Sequence, residues 1–332
     1  METVKTKDVA PHHIGVNPPV PSNDNNSENS LAFLRKAINA PDRDEILDMI
    51  KQQMVNFNVL NKLELKIADT TKVLTDGPRH YLFPDILETV NAGIHAALIG
   101  PAGSGKSTVC QQVADALDLK YYLQNSVTGT HELSGYLDAH GKYNTTSFRA
   151  AFEKGGLILV DEVDTSDPGA LKWVNTALAN GYAMFPDNPD PVFKHKDFRI
   201  LIAANTFGNG ADRVYVGANQ LDASTLDRFV FFDFGYDETM EKVLSGNVKW
   251  AERVQQLRRA ALKEKARVVI SPRASQAGAK LLALGWSQEK VEDRVIWKGM
   301  DEELKKRILQ SSLDTKSEGL TMGFTAKKLK AA

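Results

Sequence analysis

From residue 81 onward, short apolar runs alternate with longer stretches in which apolar residues recur every three to four positions. The runs have the length of buried strands, and the longer stretches have the spacing of amphipathic helices. After the first run, for example, Val109, Val113 and Leu117 fall on one face of a helix. This alternation predicts an α/β fold, a parallel sheet with flanking crossover helices. The strand candidates are residues 95–99, 120–124, 157–161, 199–205 and 229–234.

The regions on either side of this alternation have different patterns. Strand-like runs stop after Asp237 and helical stretches follow, which predicts a small all-helical lid domain. The first 30 residues are rich in proline and polar residues and cannot supply a core, whereas LELKIADTTKVL alternates like a hairpin. The predicted segments are a disordered tail (1–30), a helical and hairpin region of unassigned role (31–78), an α/β core (79–236), a helical lid (237–312) and a flexible basic tail (313–332).

Composition narrows the classes of function. The 332 residues are 42% hydrophobic and 25% charged, which suits one α/β domain with a smaller companion. A formal net charge of -1 gives no global basic field for nucleic acid or an anionic membrane. The single cysteine, Cys110, excludes an internal disulfide and a thiolate zinc cluster. No stretch approaches the about 20 apolar residues of a membrane span, and no signal peptide is visible, so we expect a soluble cytoplasmic protein without a membrane partner.

A glycine-rich segment between the first strand and the next helix carries the strongest chemical signal. Residues 100–107 match the P-loop pattern G-x-x-x-x-G-K-[ST] in full. Backbone N–H groups of such a loop converge on a phosphate, assisted by the helix dipole. Lys106 would neutralise the β- and γ-phosphates, and Ser107 would ligate Mg²⁺. The pattern predicts ATP and Mg²⁺ as cofactors, bound by Gly100, Pro101, Ala102, Gly103, Ser104, Gly105, Lys106, Ser107 and Thr108.

Two carboxylates follow the third strand candidate, in the sequence LILVDEVD. A P-loop needs a carboxylate at the end of a neighbouring strand, directed at the metal. We assign Asp161 to the Mg²⁺ shell and Glu162 to the polarisation of the attacking water, since adjacent side chains diverge at a strand end. An acidic strand-to-loop turn without chemistry is the alternative. Asp164 is predicted to be a surface or capping residue.

Two more positions fit phosphate chemistry within the same chain. Asn205 closes the strand RILIAAN, where its amide would hold water or the γ-phosphate, unless it only caps a turn. Arg273 lies at a helix start in SPRAS, where a cation opposes the helix dipole. An external anion would explain that position, with ATP phosphate as the first candidate and a local carboxylate as the alternative.

One arginine fits a role between subunits. Arg228, immediately before the last strand, would reach the γ-phosphate of an adjacent subunit. A pairing with Asp222 or Asp227 is the alternative for this side chain. Arg213 is a reserve candidate for the same role.

Taken together, GPAGSGKST, LILVDEVD, AANT, LDRF and SPRAS follow an order shared with a known family. Over residues 80–310 the chain resembles AAA+ ATPases of the MoxR branch. Within that branch it looks most like the cobaltochelatase ATPase-subunit group and related, often phage-encoded, proteins. The first two motifs occur in many P-loop families. The discriminating segments are GADRVYVGANQLDASTLDRF and SPRA.

This resemblance implies roles for three residues and a mode of assembly. Asn205 would be sensor 1, Arg228 the arginine finger and Arg273 sensor 2. The resemblance also implies a homo-oligomeric ring, commonly of six subunits, with ATP between neighbours and a protein client that the sequence does not identify. Residues 131–148 and 181–198 would be segments that face partners in such rings.

The sequence thus predicts a Mg²⁺-dependent AAA+ ATPase that uses hydrolysis to remodel or load another macromolecule. A nucleic-acid translocase or helicase is an alternative suggested by DEVD, but charge does not support it, and the helical stretch after Asp237 leaves no room for a second RecA-like sheet. A metal-chelatase motor subunit is a further alternative. A small-molecule P-loop kinase would be a monomer with an acceptor pocket.

Overall fold

The computed structural model describes residues 63–67, 70–74, 77–208, 210–211 and 214–318. For the strands before residue 77 and for residues 314–318, only the backbone is described. The predicted disordered tail, the predicted helical segment before the hairpin and Arg213 lie outside the described residues, as does most of the predicted basic tail.

The described elements are a mixture of strands and helices up to residue 233, and helices alone follow. The strands are β1 (Leu63–Ile67), β2 (Thr70–Leu74), β3 (Ala96–Ile99), β4 (Tyr121–Gln124), β5 (Tyr136–Leu137), β6 (Tyr143–Asn144), β7 (Gly156–Val160), β8 (Tyr182–Phe185), β9 (Asn188–Phe193), β10 (Phe198–Ala204) and β11 (Val230–Asp233). The helices are α1 (Phe83–Asn91), α2 (Lys106–Ala116), α3 (His131–Ser134), α4 (Ser147–Lys154), α5 (Pro168–Asn180), α6 (Ala223–Leu226), α7 (Glu238–Ser245), α8 (Val248–Lys263), α9 (Pro272–Ala283), α10 (Gln288–Val295) and α11 (Glu302–Glu318).

Five strands form one parallel sheet in the order β11, β3, β10, β7, β4. In its register Leu98 lies opposite Ala203, and Ile158 lies opposite Ile200. Strands β3 and β7 are buried along their whole length, as parallel strands are when helices cover both faces. All five strand candidates are present, which confirms the predicted α/β fold.

Side-chain alternation divides the core between the two faces of this sheet. On one face, Leu98 packs in a cluster with Val113 of α2. On the other face, Ile158 packs in a cluster with Phe152 of α4. Because both faces are covered, the loops at the carboxyl ends of the strands start from fixed positions.

Helix α5 shows how closely local signals set an element's bounds. The Asp167 side chain accepts a hydrogen bond from the backbone N–H of Ala170, and Pro168 occupies the first turn. The helix ends at Gly181, which has the left-handed conformation that glycine favours. Residues at the two ends of the helix thus determine where it begins and where it stops.

The helices after residue 237 have a hydrophobic core of their own. Trp250, Val254 and Leu257 of α8 pack with Ile270 and Val291 in this cluster. The prediction of an all-helical region after the sheet is therefore confirmed. We call residues 237–312 the lid.

Three small hairpins lie outside the central sheet. Strands β1 and β2 pair antiparallel, as the alternation of LELKIADTTKVL predicts. Strands β5 and β6 pair within residues 131–148, and β8 and β9 pair within residues 181–198. Among the described residues, no helix combines the length and the apolar character that crossing a membrane requires.

Candidate nucleotide site

Close backbone approach shapes the loop between β3 and α2. A Cβ atom on Gly100 would come within 2.0 Å of the carbonyl oxygen of Phe234, so a larger residue would displace the end of β11. Gly105, which precedes α2, has φ of 100°, a conformation that glycine adopts without strain. The loop therefore turns directly into α2, and the first N–H groups of this helix face the loop.

Lys106, the first residue of α2, is buried in the cleft beside this loop. Its Nζ donates to the carbonyl oxygen of Gly100 at 2.6 Å and to Oδ1 of Asn205 at 3.1 Å. Burial lowers the pKa of Lys106, while Asp161 and Asp164 act in the opposite direction and favour the charged ammonium. The structure thus holds a cation at the floor of the cleft.

Ser107 and Asp161 form the pair expected for a divalent cation. The Ser107 hydroxyl donates to Oδ2 of Asp161 at 2.7 Å. A hydroxyl and a carboxylate suit Mg²⁺, which usually takes one or two protein oxygens together with phosphate oxygens and water. Among the described residues no group of three or more His, Cys, Asp or Glu is arranged to hold a metal ion. These residues therefore fit a cation that arrives together with a phosphate.

The position of Asp161 differs from the prediction in one respect. We expected its strand to be a neighbour of the P-loop strand, but β10 lies between β3 and β7. Asn205, at the end of β10, therefore lies between the P-loop and Asp161. This order explains why Asn205 reaches Lys106 directly.

Glu162 leaves the strand in an uncommon backbone conformation. Its φ of 52° lies in the left-handed region, which few residues other than glycine adopt. Its side chain is exposed and lines the same cleft as Asp161, although strand alternation would direct adjacent residues to opposite faces. Such strain clusters at functional sites, where the surrounding structure maintains it.

Asp164 was predicted to be a surface or capping residue; it is buried, so the surface role is wrong and the capping role is the one observed. Its Oδ2 accepts hydrogen bonds from the backbone N–H groups of Asn205 and Thr206, each at 3.0 Å. Strand β10 ends inside the protein, and these N–H groups need an acceptor there. Asp164 therefore caps the strand end that positions Asn205.

The core and the lid together enclose a cleft of about 620 Å³. Arg273, near the start of α9, lines it together with Met240 and Leu244 of the lid. Inside the cleft, the hydroxyl of Ser104 is buried and has no hydrogen-bond partner among the described residues. A phosphate oxygen would satisfy this hydroxyl. The cleft thus has the size, the cations and the donors for a nucleoside triphosphate.

Residues 95–229 match the protein-family model described as an AAA domain of the dynein-related subfamily. The match covers less than half of the chain, and over this range the chain is similar to an AAA domain. Domains of this family are P-loop ATPase domains, and the matched range holds Lys106, Asp161, Glu162 and Asn205. The match supports ATPase activity in general terms and ends before the lid.

Similarity to whole proteins adds little to this assignment. Among solved structures, the chain is similar to the crystal structure of NtrX from Brucella abortus, with 14% sequence identity and a TM-score of 0.41. The similarity covers 92% of this chain and 62% of that chain, so this chain spans less than two thirds of that protein's length. At this TM-score the likeness carries no argument. A comparison with curated protein sequences gives no significant match.

Arg228 lies at the opposite end of the central sheet. Val230 pairs with Ala96, the first residue of β3, whereas the P-loop follows the last residue of that strand. At about 3.3 Å per residue, roughly 20 Å of strand separates Arg228 from the P-loop of its own chain. Arg228 donates from Nε to Oδ1 of Asn175 in α5.

The two carboxylates proposed as local partners of Arg228 are Asp222 and Asp227. Asp222 forms a salt bridge with Lys172 at 3.4 Å and caps α6 through the N–H of Ser224. For Asp227 and Arg228, no salt bridge forms within the described part of the chain. The side chain of Arg228 is exposed at this end of the sheet.

The sequence did not reveal several residues of the cleft. His80 stacks on Phe234 with 3.9 Å between ring centroids, and its Nε2 lies 3.1 Å from the carbonyl oxygen of Gly235. Burial lowers the pKa of His80, which favours the neutral ring. Gln112 of α2 donates to the carbonyl oxygen of Pro78 at 3.0 Å. These contacts use backbone carbonyls, so no motif indicates them.

Proposed function

We propose that this chain is a Mg²⁺-dependent ATPase that assembles into a ring, as the MoxR branch does, and uses hydrolysis to remodel or load a macromolecular partner. The observation that carries the proposal is the convergence of four side chains on one cleft. They form two hydrogen-bonded pairs there: Lys106 donates to Asn205 at 3.1 Å, and Ser107 donates to Asp161 at 2.7 Å.

Each of these residues has a distinct proposed task. Lys106 binds the negative charge of the β- and γ-phosphates, and Ser107 and Asp161 would hold Mg²⁺. When bound, ATP would supply the terminal phosphoryl group that is transferred to water with ADP as the leaving group, and Mg²⁺ would neutralise the phosphate charge. Glu162 accepts a proton from the attacking water, and Asn205 orients that water with its amide.

The lid and the ring complete the proposed site. Arg273 faces the cleft from the lid and would bind the γ-phosphate of its own chain. Arg228 is too far from that phosphate and would instead complete the site of a neighbouring copy. This arrangement needs a ring or filament of like subunits, because each site then receives one arginine from the next chain.

Two substitutions separate binding from hydrolysis. We expect Lys106→Ala to lose ATP affinity, because the phosphate charge is left without its buried cation. We expect Glu162→Gln to bind ATP normally while turnover falls by about 10²–10⁴-fold, the usual contribution of a general base. Isothermal titration with ATP and a phosphate-release assay measure the two properties.

A matched control for these variants is Glu289→Gln on α10, an exposed carboxylate outside the cleft. It should bind and hydrolyse ATP like the wild type. Equal and near-wild-type turnover in Lys106→Ala and Glu162→Gln would refute the assignment.

Assembly is tested separately from chemistry. Light scattering on Glu162→Gln with Mg²⁺ and ATP should give the mass of a closed oligomer, whereas a persistent monomer would contradict the ring and favour a kinase-like function. ATPase rates with and without DNA test the nucleic-acid alternative, for which we expect no stimulation.

A further inference from the structure

One residue of the P-loop is held from both sides by tyrosine hydroxyls. The backbone N–H of Ala102 donates to Oη of Tyr215 at 3.0 Å. Oη of Tyr236 donates to the carbonyl oxygen of Ala102, also at 3.0 Å. The two tyrosines come from segments 113 and 134 residues further along the chain, so the contact joins three separate parts of the fold.

Tyr236 connects this contact to the lid. Its ring packs against the guanidinium group of Arg258 in α8, at 4.3 Å from the guanidinium carbon to the ring centroid. Arg258 forms a buried bidentate ion pair with Glu241 of α7, with N···O distances of 2.6 and 2.8 Å. Ser275 of α9 donates to Glu241 at 2.5 Å, two residues after Arg273. Tyr236 thus contacts α8 directly, and through the Arg258–Glu241 pair it is connected to α7 and α9.

Tyr215 connects the same contact to the loop between β10 and α6. In this loop, Asn219 donates its backbone N–H to the carbonyl oxygen of Asp164 at 2.5 Å and its side-chain amide to that of Ser166 at 3.0 Å. Asp164 and Ser166 belong to the turn directly after Glu162. The loop therefore contacts both the P-loop and the turn that carries the proposed general base.

The chemistry of these hydroxyls suits a permanent contact. Burial raises the pKa of Tyr236 to about 12, so its hydroxyl stays protonated and remains a donor at neutral pH. The peptide groups on both sides of Ala102 are occupied, so the P-loop cannot shift there without losing a hydrogen bond to Tyr236 or to Tyr215. In the same way, a displacement of the lid or of the loop before α6 would move the P-loop through these hydrogen bonds.

We propose that Tyr215 and Tyr236 are positioning residues that couple the P-loop, through Ala102, to the loop before α6 and to the lid. The inference rests on the proposed function, because it takes the P-loop as the nucleotide site. Nucleotide binding then stabilises both segments through two separate hydroxyl groups, one for each segment.

Hydrogen exchange with Mg²⁺ and ADP as the probe tests this coupling on the full chain. In the wild type, ADP should protect residues 214–222 and residues 237–263. We expect Tyr215→Phe to lose protection of the first segment only and Tyr236→Phe to lose protection of the second only. Each variant keeps the aromatic ring and lacks only the hydroxyl group. It should bind ADP about two- to tenfold more weakly, as the loss of one hydrogen bond implies.

Tyr182→Phe, on the exposed side of β8, is the matched control and should behave as the wild type. Wild-type protection of both segments in both variants would overturn the proposal. So would an equal loss in both segments in either variant, because a merely structural role loosens the protein without selectivity. The circular dichroism spectrum of each variant shows that it has folded.

A failure of the proposed function has a different signature. If the wild type does not bind ADP, the proposed function is refuted. The contacts of Tyr215 and Tyr236 with Ala102 are then tested by hydrogen exchange in the protein without nucleotide. The Ala102 amide should then exchange faster in Tyr215→Phe than in the wild type or Tyr182→Phe. Equal exchange rates would also overturn the proposed coupling through Ala102.

Discussion

At the carboxyl end of the central sheet Lys106, Asp161 and Asn205 line one large cleft, whereas at the amino end Arg228 and His95 line a separate cavity of about 370 Å³. The carboxyl end is closed over by the lid and filled with polar groups that bond to one another. The amino end is open, and its arginine contacts only an amide among the described residues.

This difference follows from the parallel arrangement of the strands. Loops after the carboxyl ends collect side chains from three strands and from the lid, so they build a binding site within one chain. The segment before β11 enters the sheet from the opposite end and cannot reach that site. In the proposed ring, Arg228 at the amino end would therefore contact a nucleotide bound in the cleft of a second copy.

The largest effect that we expect is the loss of ATPase activity when Arg228 is replaced, and it tests whether Arg228 acts on a neighbouring subunit. An arginine finger is worth about 10³–10⁵ in rate, so Arg228→Ala should be nearly inactive although it binds ATP. Glu162→Gln should also be inactive. In a mixed ring, an Arg228→Ala subunit keeps Glu162 and receives Arg228 from a Glu162→Gln neighbour, so phosphate release should reappear when the two inactive proteins are mixed.

The control for this experiment is the exchange of subunits, measured by energy transfer between labelled variants. If subunits exchange and the mixture stays inactive, Arg228 does not act on a neighbouring site, or every site must be intact at once. Repeating the mixture with Arg213→Ala would then show whether that residue is the finger. The proposal for Arg228 fails if Arg213→Ala, and not Arg228→Ala, gives restoration.

The sequence indicated which residues lie at the carboxyl end because that end is built from local patterns. Buried parallel strands are continuous apolar runs, and the P-loop needs particular residue types at fixed spacing for its geometry. Asp161 and Glu162 were found because they end such a run. Sequence patterns therefore predict those parts of the site whose residues are close together in the sequence.

Contacts between segments that are distant in the sequence could not be predicted from the sequence. Asp164 looks like any acidic turn residue until β10, 41 residues later, presents N–H groups that need an acceptor. Tyr215 and Tyr236 bond to the backbone of Ala102, and a backbone group leaves no signature in the sequence. The order of the strands is a tertiary property too, so the position of β10 between β3 and β7 was missed.

A smaller effect is expected from the lid. Arg273 is an exposed cation of the cleft, and a hydrogen bond to a charged group contributes about 1.5–3 kcal/mol. Arg273→Ala should therefore weaken ATP binding by about 10- to 150-fold without changing the free energy of unfolding. Titration with ATP and urea unfolding measure the two quantities. Arg267→Ala, on the connection before α9, is a matched control, and wild-type affinity in Arg273→Ala would remove the residue from the site.

The smallest effect concerns the amino end. His95 is partly buried and its Nδ1 has no hydrogen-bond partner among the described residues. Burial, followed by the charges of Lys194 and Arg199, lowers the pKa of His95 to about 4. The ring is therefore neutral in the folded protein, and Arg228 supplies the positive charge of this cavity.

This depressed pKa predicts how stability changes with pH. The unfolded chain binds a proton at His95 near pH 6.5 but the folded protein does so only near pH 4, so stability is complete above about pH 6.5 and falls between these values. The wild type should lose about 2 kcal/mol more than His95→Gln between pH 7.5 and pH 5. Urea unfolding at both pH values measures this difference, with His140→Gln as the exposed control. Equal losses in the wild type and His95→Gln would mean that His95 is protonated in the fold and adds its charge to that of Arg228.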